Sequence, residues 1–574
     1  SLVKRHDFLM SMETPITNGC CNTPRGHEIV FYDYSKYNTY KNTNSSNIKS
    51  VKYYKGLGAN TKKEIQETFG KYLISYNFDE HTTKYLKLAF CKTQANGRKK
   101  WLSEYTINIQ DDCNDNIPNR ISMDISDFIN NVFILYSIED CHRSIPCLWD
   151  GLKEGQRKIL YSVFKKGITH TSKTIKVAQF AGYVAGISGY HHGENNLIET
   201  LIKMAQDFPG RNNIPYFYKD GQFGSRIIGG KDAANGRYIY TKLEKIIQYI
   251  FRKEDFGIYD YIEDDGEIVE PEYYVPIIPT ILVNGIVAAI GTGWSCSVPN
   301  YNPIDVVDWI REWCNNKEIP TMTIEPWFKG FNGHIDVEGD RIKTTGVFHI
   351  DKKRGVERCI ITELPVNVWT DNYKEFLEKL VEDKKIKSFD NHSTPDNVSF
   401  TLTPRNDSNF KFTKHTLKLE STLHTSNMVT FINSKNLHHF KTINEIMVEF
   451  CKKRIQTYTK RKNHIITEKK NQLKCLSNKF KFIKMVYKNE LNILKIPYNT
   501  VIDNLTNESF DKIEGSFNYL LNINIHSFTL EKINKLQDEI KQLTEYIKKI
   551  KSTTETNMWL MELDEFEKEY RKQL

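Results

Sequence analysis

No Cys-x-x-Cys pair occurs among the 11 cysteines, at 20, 21, 91, 113, 141, 147, 296, 314, 359, 451 and 475. That argues against a zinc ribbon and a dithiol redox motif. The odd count and scattered positions form no secretory disulfide framework, which points to a reducing compartment. No Gly-x-x-x-x-Gly-Lys-[Ser/Thr] run is present, so a P-loop motor of the coiled-coil type is excluded; a dinucleotide fingerprint is missing as well. The first residues, SLVKRH, hold no apolar segment of signal-peptide type and no initiating Met, from which a fragment is expected. Long apolar runs are also lacking. Residues 273–304 are free of charge, but Pro276, Pro279, Asn284, Gly285, Gly291 and Gly293 interrupt them. Buried strands and tight loops are expected there, not a membrane span. Charge of one sign is barely in excess: 80 Lys/Arg face 71 Asp/Glu, a net of +9. The whole-chain charge therefore cannot decide for a nucleic-acid partner; its placement must.

What is present is enough chain for three to five domains, at about 100–200 residues each. The Asn/Ser-rich stretch 37–50 reads as a flexible loop between strand-like HEIVFYDY and SVKYYKG. A helix is expected over 62–72, and a boundary over 103–120. Apolar spacing of three and four predicts helices over 124–139, 153–166, 174–186 and 193–207, with short joints that suit a winged helix. Alternation predicts strands in RIKTTGVFHI, ERCIITELP and NVSFTLTP. Ile533, Leu536, Ile540, Leu543, Ile547 and Ile550 form a heptad seam. Ile455, Tyr458, Ile466, Leu473, Leu476, Phe480, Ile483 and Tyr487 form a looser one. Two antiparallel helices with a knob at 496–527 are expected. Residues 451–490 carry thirteen Lys/Arg and two Glu, a density that calls for a polyanion, an acidic partner or a solvated face. Arg98-Lys99-Lys100 beside Trp101 is a second basic cluster.

Reactive side chains are densest between 143 and 240, and three chemistries compete there. His191, His192 and Glu194 could hold zinc, although adjacent histidines diverge on a helix and His-Glu-x-x-His spacing is absent. Gly221, Gly224, Gly229 and Gly230 could cradle a phosphate. Arg237-Tyr238 could perform transesterification on a DNA phosphodiester. A phenol ionises only near pH 10, so a nucleophilic Tyr needs an adjacent Arg to stabilise the phosphoryl oxygens.

The wording around these residues resembles that of DNA topoisomerase II, the eukaryotic branch of the type IIA family. The resemblance rests on KYYKGLGANTKKE (52–64), RSIPCLWDGLKEGQRKIL (143–160), KVAQFAGYVAGISGYHHGE (176–194) and GQFGSRIIGGKDAANGRYIYT (221–241). PEYYVPIIPTILVNG (271–285), IGTGWSCSVPN (290–300) and the closing NMWLMELDEF extend it over the chain. It implies a multidomain α+β fold. Residues 1–118 would be the C-terminal part of a Toprim domain and 119–264 a winged-helix domain. Residues 265–430 would be a β-rich tower, and 431–574 a coiled coil with a C-gate for dimerisation.

By the same resemblance Tyr238 is the nucleophile that joins a 5′ DNA phosphate, with Arg237, His192 and Arg143 as catalytic partners. Arg98, Lys99, Lys153, Arg157, Tyr190, His191 and Lys418 are DNA contacts. Ile290 wedges between base pairs and bends the duplex. NGIVAAIGTG is one residue longer than the family's usual wording, which makes Ile286 the other candidate. The implied partners are double-stranded DNA and a second copy in a homodimer, with no membrane. The implied cofactors are magnesium and ATP, but the chain begins after the family's Glu and Asp-x-Asp-x-Asp ligands and lacks the ATPase domain. Lys55-Gly56-Leu57-Gly58 remains from the end of Toprim; Asp111, Asp112 and Asp115 read as a solvated turn. No metal ligand is therefore assigned, and the chain alone is expected to bind but not cleave. A rival class is a non-catalytic architectural protein, a winged helix on a basic arm. Departures at ENNLIET, AANGRYIY and NGIVAAI point to a large DNA virus, with a protozoan source as the alternative. The expected place is intracellular, in host cytoplasm for a viral enzyme and the nucleus for a cellular one.

Overall fold

The computed structural model describes residues 9–14, 16–21, 28–32, 34–44, 48–54, 61–70, 73–105 and 120–573. Within the last span, 265, 354, 355, 406, 407, 434, 435, 494, 495 and 514 are excepted. The Lys55–Gly58 motif, the three aspartates at 111, 112 and 115 and most of the expected boundary at 103–120 lie outside the described residues.

The N-terminal part holds two small sheets. Thr17–Cys21 lies between Glu28–Phe31 and Ile48–Tyr53, and Leu73–Asn77 pairs with Met10–Met12 and, in parallel, with Arg120–Asp124. One expectation fails here. The Asn-rich stretch is not a loop: Tyr34–Asn44 is a helix. Its Asn and Thr content is poor for a helix, but Tyr37 is buried, edge-on to Phe31 and Tyr53. Tertiary packing overrides propensity. The next helix is shorter than expected, Lys62–Thr68, and opens with a capping box between Thr61 and Glu64.

The central helices fall where apolar spacing puts them: Ile134–Ser144 after a π-helical turn, Glu154–Lys166, Val177–Ile187 and Glu194–Ala205. The uncharged run 273–304 is interior, with a short helix Thr280–Val283 and the hairpin Ile286–Gly291/Trp294–Val298. Ile277, Ile278, Ile281, Leu282 and Val283 are fully buried. Among the described residues no helix is long and apolar enough to cross a membrane. A four-stranded antiparallel sheet follows, in the order Val347–Lys353, Val356–Glu363, Phe400–Pro404, Ile386–Asn391. Helix Thr370–Glu382 covers it through Tyr373, Leu377 and Leu380.

Helix Ile443–Tyr487 runs 45 residues and packs on Leu530–Ser552; between them Tyr498–Asn507 and Asn518–Leu521 form the knob. Ile533, Leu536 and Ile547 of the seam are buried, whereas Tyr487 is half exposed. The buried clusters cut across the expected boundaries. Residues from Cys141 to Cys314 share one core with Ile446–Tyr458 and Trp559–Tyr570, the strand-rich unit centres on 359–419, and the knob on 482–536.

Candidate functional site

Tyr238 stands 77% exposed between two buried neighbours, Gly236 and Ile239. Each neighbour is tied to the start of helix Val177–Ile187. The Gly236 carbonyl accepts from Ala178 N–H at 2.9 Å and the Ile239 carbonyl from Val177 N–H at 3.1 Å. A Cβ at Gly236 would come within 2.8 Å of Ile198, so this approach needs glycine. Asn235 shapes the turn: its side chain accepts from Arg237 N–H at 3.1 Å and its carbonyl from Tyr238 N–H at 2.9 Å. Arg237 is exposed beside the phenol. Behind the loop, Arg226 reaches Glu363 of the strand-rich unit in a buried ion pair of 2.5 Å.

Ile198 belongs to helix Glu194–Ala205, which begins just after the second cluster. There Arg143 Nη1 lies 3.3 Å from His192 Nε2, and the His192 ring meets Tyr190 edge-on at 5.4 Å. The Tyr190 hydroxyl accepts from Asn196 at 2.8 Å, and partial burial raises its phenol above the ordinary range. His191 Nε2 is 3.3 Å from Asp264. Tyr190, His191, His192 and Asp264 border an open groove of about 580 Å³ that also includes His142 and Phe431. The His142 ring stacks on Phe431 at 4.4 Å, and burial lowers its pKa, favouring the neutral form. Lys153, N-terminal to helix Glu154–Lys166, is half-buried and its ammonium is pushed below the usual lysine range by that burial. No hydrogen bond joins Tyr238 to this cluster among the described residues; the Tyr238 loop rests on helices Val177–Ile187 and Glu194–Ala205, and residues 190–192 form the joint between those two helices.

Arg157 is held in place from inside the fold. Its guanidinium is buried and bound to Asp150 through Nε at 2.7 Å and Nη2 at 3.1 Å, with a third bond to the Leu152 carbonyl. Arg157 still lines the groove beside His191 and His192, so its internal bonds fix its position at the edge of that space. Asp150, which sequence reasoning passed over, also accepts from Leu152 N–H and from Tyr274 N–H, both at 3.0 Å, and so docks the uncharged run on the helices. Gly151 next to it has φ +62, and a Cβ there would stand 2.6 Å from Ile281 N.

The hairpin Ile286–Gly291/Trp294–Val298 separates the two wedge candidates. Ile290 is 74% exposed; Ile286 is partly buried and packs on the main core. The register shifts between Ile286 and Ala289, where Val287 and Ala288 oppose one residue. The additional residue is thus absorbed as a β-bulge. Lys99 Nζ sits 4.8 Å over the Trp294 ring of this hairpin, and Arg98 packs on Gly293. Arg98 Nη1 is already engaged by the Leu88 and Cys91 carbonyls at 3.0 and 2.8 Å. Lys418 is not gathered with these groups; it stands over Phe376 at 4.6 Å in the strand-rich unit.

Fold and site together define the class, the cleavage core of a type II topoisomerase. A solved structure of the DNA-binding, cleavage and re-ligation domain of Plasmodium falciparum topoisomerase II superimposes with a TM-score of 0.84 at 35% identity. The match covers 99% of this chain and 80% of that one. The chain belongs to the family of the DNA gyrase/topoisomerase IV A subunit, whose pattern matches residues 143–564. Residues 12–141 match the C-terminal associated domain of TOPRIM. The DNA topoisomerase 2 of Invertebrate iridescent virus 6 is 38% identical over 98% of this chain and 50% of its own length. That of Plasmodium falciparum is 34% identical over 99% of this chain and 43% of its own. The chain spans about half the length of the curated relatives it matches.

Proposed function

We propose that this chain binds and cleaves duplex DNA for a type II topoisomerase reaction, with Tyr238 as the nucleophile. The observation that carries the proposal is Tyr238 itself, an exposed phenol on a loop pinned at both flanks, with Arg237 beside it. The Tyr238 oxygen attacks a backbone phosphorus, the 3′ oxygen leaves, and a 5′-phosphotyrosyl ester conserves the bond for resealing. Arg237 donates to the phosphoryl oxygens as charge grows. Arg143 and His192 hold the phosphate next to it, with His191, Tyr190, Lys153, Lys99 and the free face of Arg98 on the backbone. Arg157 acts through Asp150 as a positioning residue, and Lys418 belongs to a separate surface. Ile290 is the wedge in preference to Ile286, because its side chain is the exposed one of the pair.

Two strands need two tyrosines, so the working unit is a two-fold dimer. The knob around 496–527 is its exit gate, and the functional units along the chain are 1–118, 119–264, 265–430 and 431–574, the last three contributing to one shared core. Magnesium and ATP belong to the full-length reaction. Among the described residues no three His, Cys, Asp or Glu side chains gather as a metal site. An intracellular site of action fits this substrate, host cytoplasm for a viral source and nucleus for a cellular one.

The test is covalent. The full-length gene product, given magnesium and supercoiled plasmid, should leave 5′-linked protein–DNA adduct after detergent quenching. Tyr238→Phe should abolish the adduct and keep duplex affinity within about threefold, because only the attacking oxygen is removed. Adduct that persists in Tyr238→Phe would refute the assignment.

A further inference from the structure

The turn after Ile290 is joined to the helix that carries Arg143 through a carboxylate. Asp140 Oδ2 accepts from Thr292 N–H and from the Thr292 hydroxyl, both at 2.9 Å. Its Oδ1 lies 3.6 Å from Arg143 Nη2 and accepts from the Ser144 hydroxyl at 3.4 Å. The contact is reinforced alongside. Cys141 Sγ donates to the Thr292 carbonyl at 3.4 Å, and a Cβ on Gly291 would stand 3.1 Å from Cys141 Cα. From Arg143 the chain of contacts continues to His192 at 3.3 Å. One carboxylate therefore has its two oxygens on different assignments, one on the hairpin turn and one on the phosphate-facing arginine.

We propose that Asp140 is a positioning residue that couples the posture of the Ile290 hairpin to the orientation of Arg143. Seating of the wedge in a bent duplex and alignment of the scissile phosphate are then one event rather than two. This rests on the roles given above to Ile290 and Tyr238. A carboxylate is needed because an amide offers one acceptor oxygen, and its NH₂ would face either the Thr292 donors or the Arg143 guanidinium.

The experiment uses the full-length gene product with magnesium and a short duplex labelled at both ends. Energy transfer reads the bend, and single-turnover adduct formation at saturating DNA reads cleavage. Asp140→Asn should lower cleavage about tenfold, as a misplaced catalytic arginine does, with duplex affinity within about threefold. It should also reduce the bend. Thr292→Val should do the same, and Thr292→Ser should restore wild-type behaviour, which separates the hydrogen bond from general damage to the fold. In Ile290→Ala, where no wedge remains to be coupled, adding Asp140→Asn should cost no more than about another twofold. Losses that multiply instead would mean independent sites and would overturn the coupling, as would wild-type cleavage in Asp140→Asn. Wild-type protein that forms no adduct refutes the Tyr238 reading alone. The bend needs no cleavage and still tests Asp140, since an unchanged bend in Asp140→Asn overturns the proposal.

Discussion

Arg143 and Arg157 look alike in the sequence, two cations fourteen residues apart in one motif, and the structure gives them different surroundings, Arg143 exposed and Arg157 buried. The difference lies in Asp150, seven residues before Arg157, which takes that guanidinium in a buried two-point pair. Removing one partner of a buried pair strands the other charge. Arg157→Ala should therefore destabilise the fold by about 3–5 kcal/mol, measured by chemical denaturation. Arg143→Ala, at the surface, should shift stability by no more than about 0.5 kcal/mol and act on adduct formation. The residues of the site were legible through the family motifs that carry them, since phosphate chemistry alone left three readings open. Which cation faces outward was not legible, because burial depends on a long-range neighbour, Tyr274, that closes over Asp150. The thiols follow the same logic. Burial pushes Cys147, Cys296 and Cys359 up to about 12, whereas hydrogen bonds from Thr93 hold Cys91 below the usual thiol value. At pH 8, mass spectrometry after brief alkylation should find Cys91 modified before those three.

Single elements were readable wherever their period is regular. The four central helices and the two long helices of the arm follow apolar spacing, since one face of each must be buried. Tyr34–Asn44 escaped this reading because its stability comes from the packing of Tyr37 against Phe31 and Tyr53 and not from an apolar period of its own. The wedge hairpin is intermediate. Its extra residue is visible in NGIVAAIGTG, but only the register shows that Val287 and Ala288 share one partner. A regular ladder without Ala288 would place Ile286 and Ala289 on the core side and Val287 and Ile290 outside. Each already has that exposure. Deletion of Ala288 should therefore leave the bend of a labelled duplex close to wild type. Ile290→Ala should lose most of it, and Ile286→Ala should chiefly lower the thermal midpoint. A deletion that abolished bending would show that the bulge itself aims Ile290.

At the scale of the whole molecule, the basic stretch 451–490 changes meaning once folded. Seven of its thirteen cations meet carboxylates of the same chain: Lys452, Arg454, Arg461, Lys462, Lys474, Lys481 and Lys488. Arg454 and Arg461 are wholly internal. Both reach Asp255, Arg461 also reaches Glu562 at 2.6 Å, and the Tyr458 hydroxyl donates to Glu562 at 2.6 Å. This network joins the long arm, the C-terminal helix Glu555–Tyr570 and the end of the central unit, so it sets how the gate arm leaves the body. Burial alone would raise the Asp255 carboxyl, but Arg454 and Arg461 outweigh it and hold the pKa below the ordinary aspartate value. A carboxylate depressed in the folded state contributes stability that is present above the unfolded value, about 3.9. That contribution is lost as pH falls through the lower folded value. Asp255→Asn should then cost about 3–5 kcal/mol at pH 7, because two buried guanidinium groups lose the carboxylate they share and keep only Glu562. The gap between wild type and variant in denaturation midpoint should narrow only as pH drops below about 4. A gap that closed already between pH 7 and pH 5 would show that Asp255 is not the charge that locks the arm to the body.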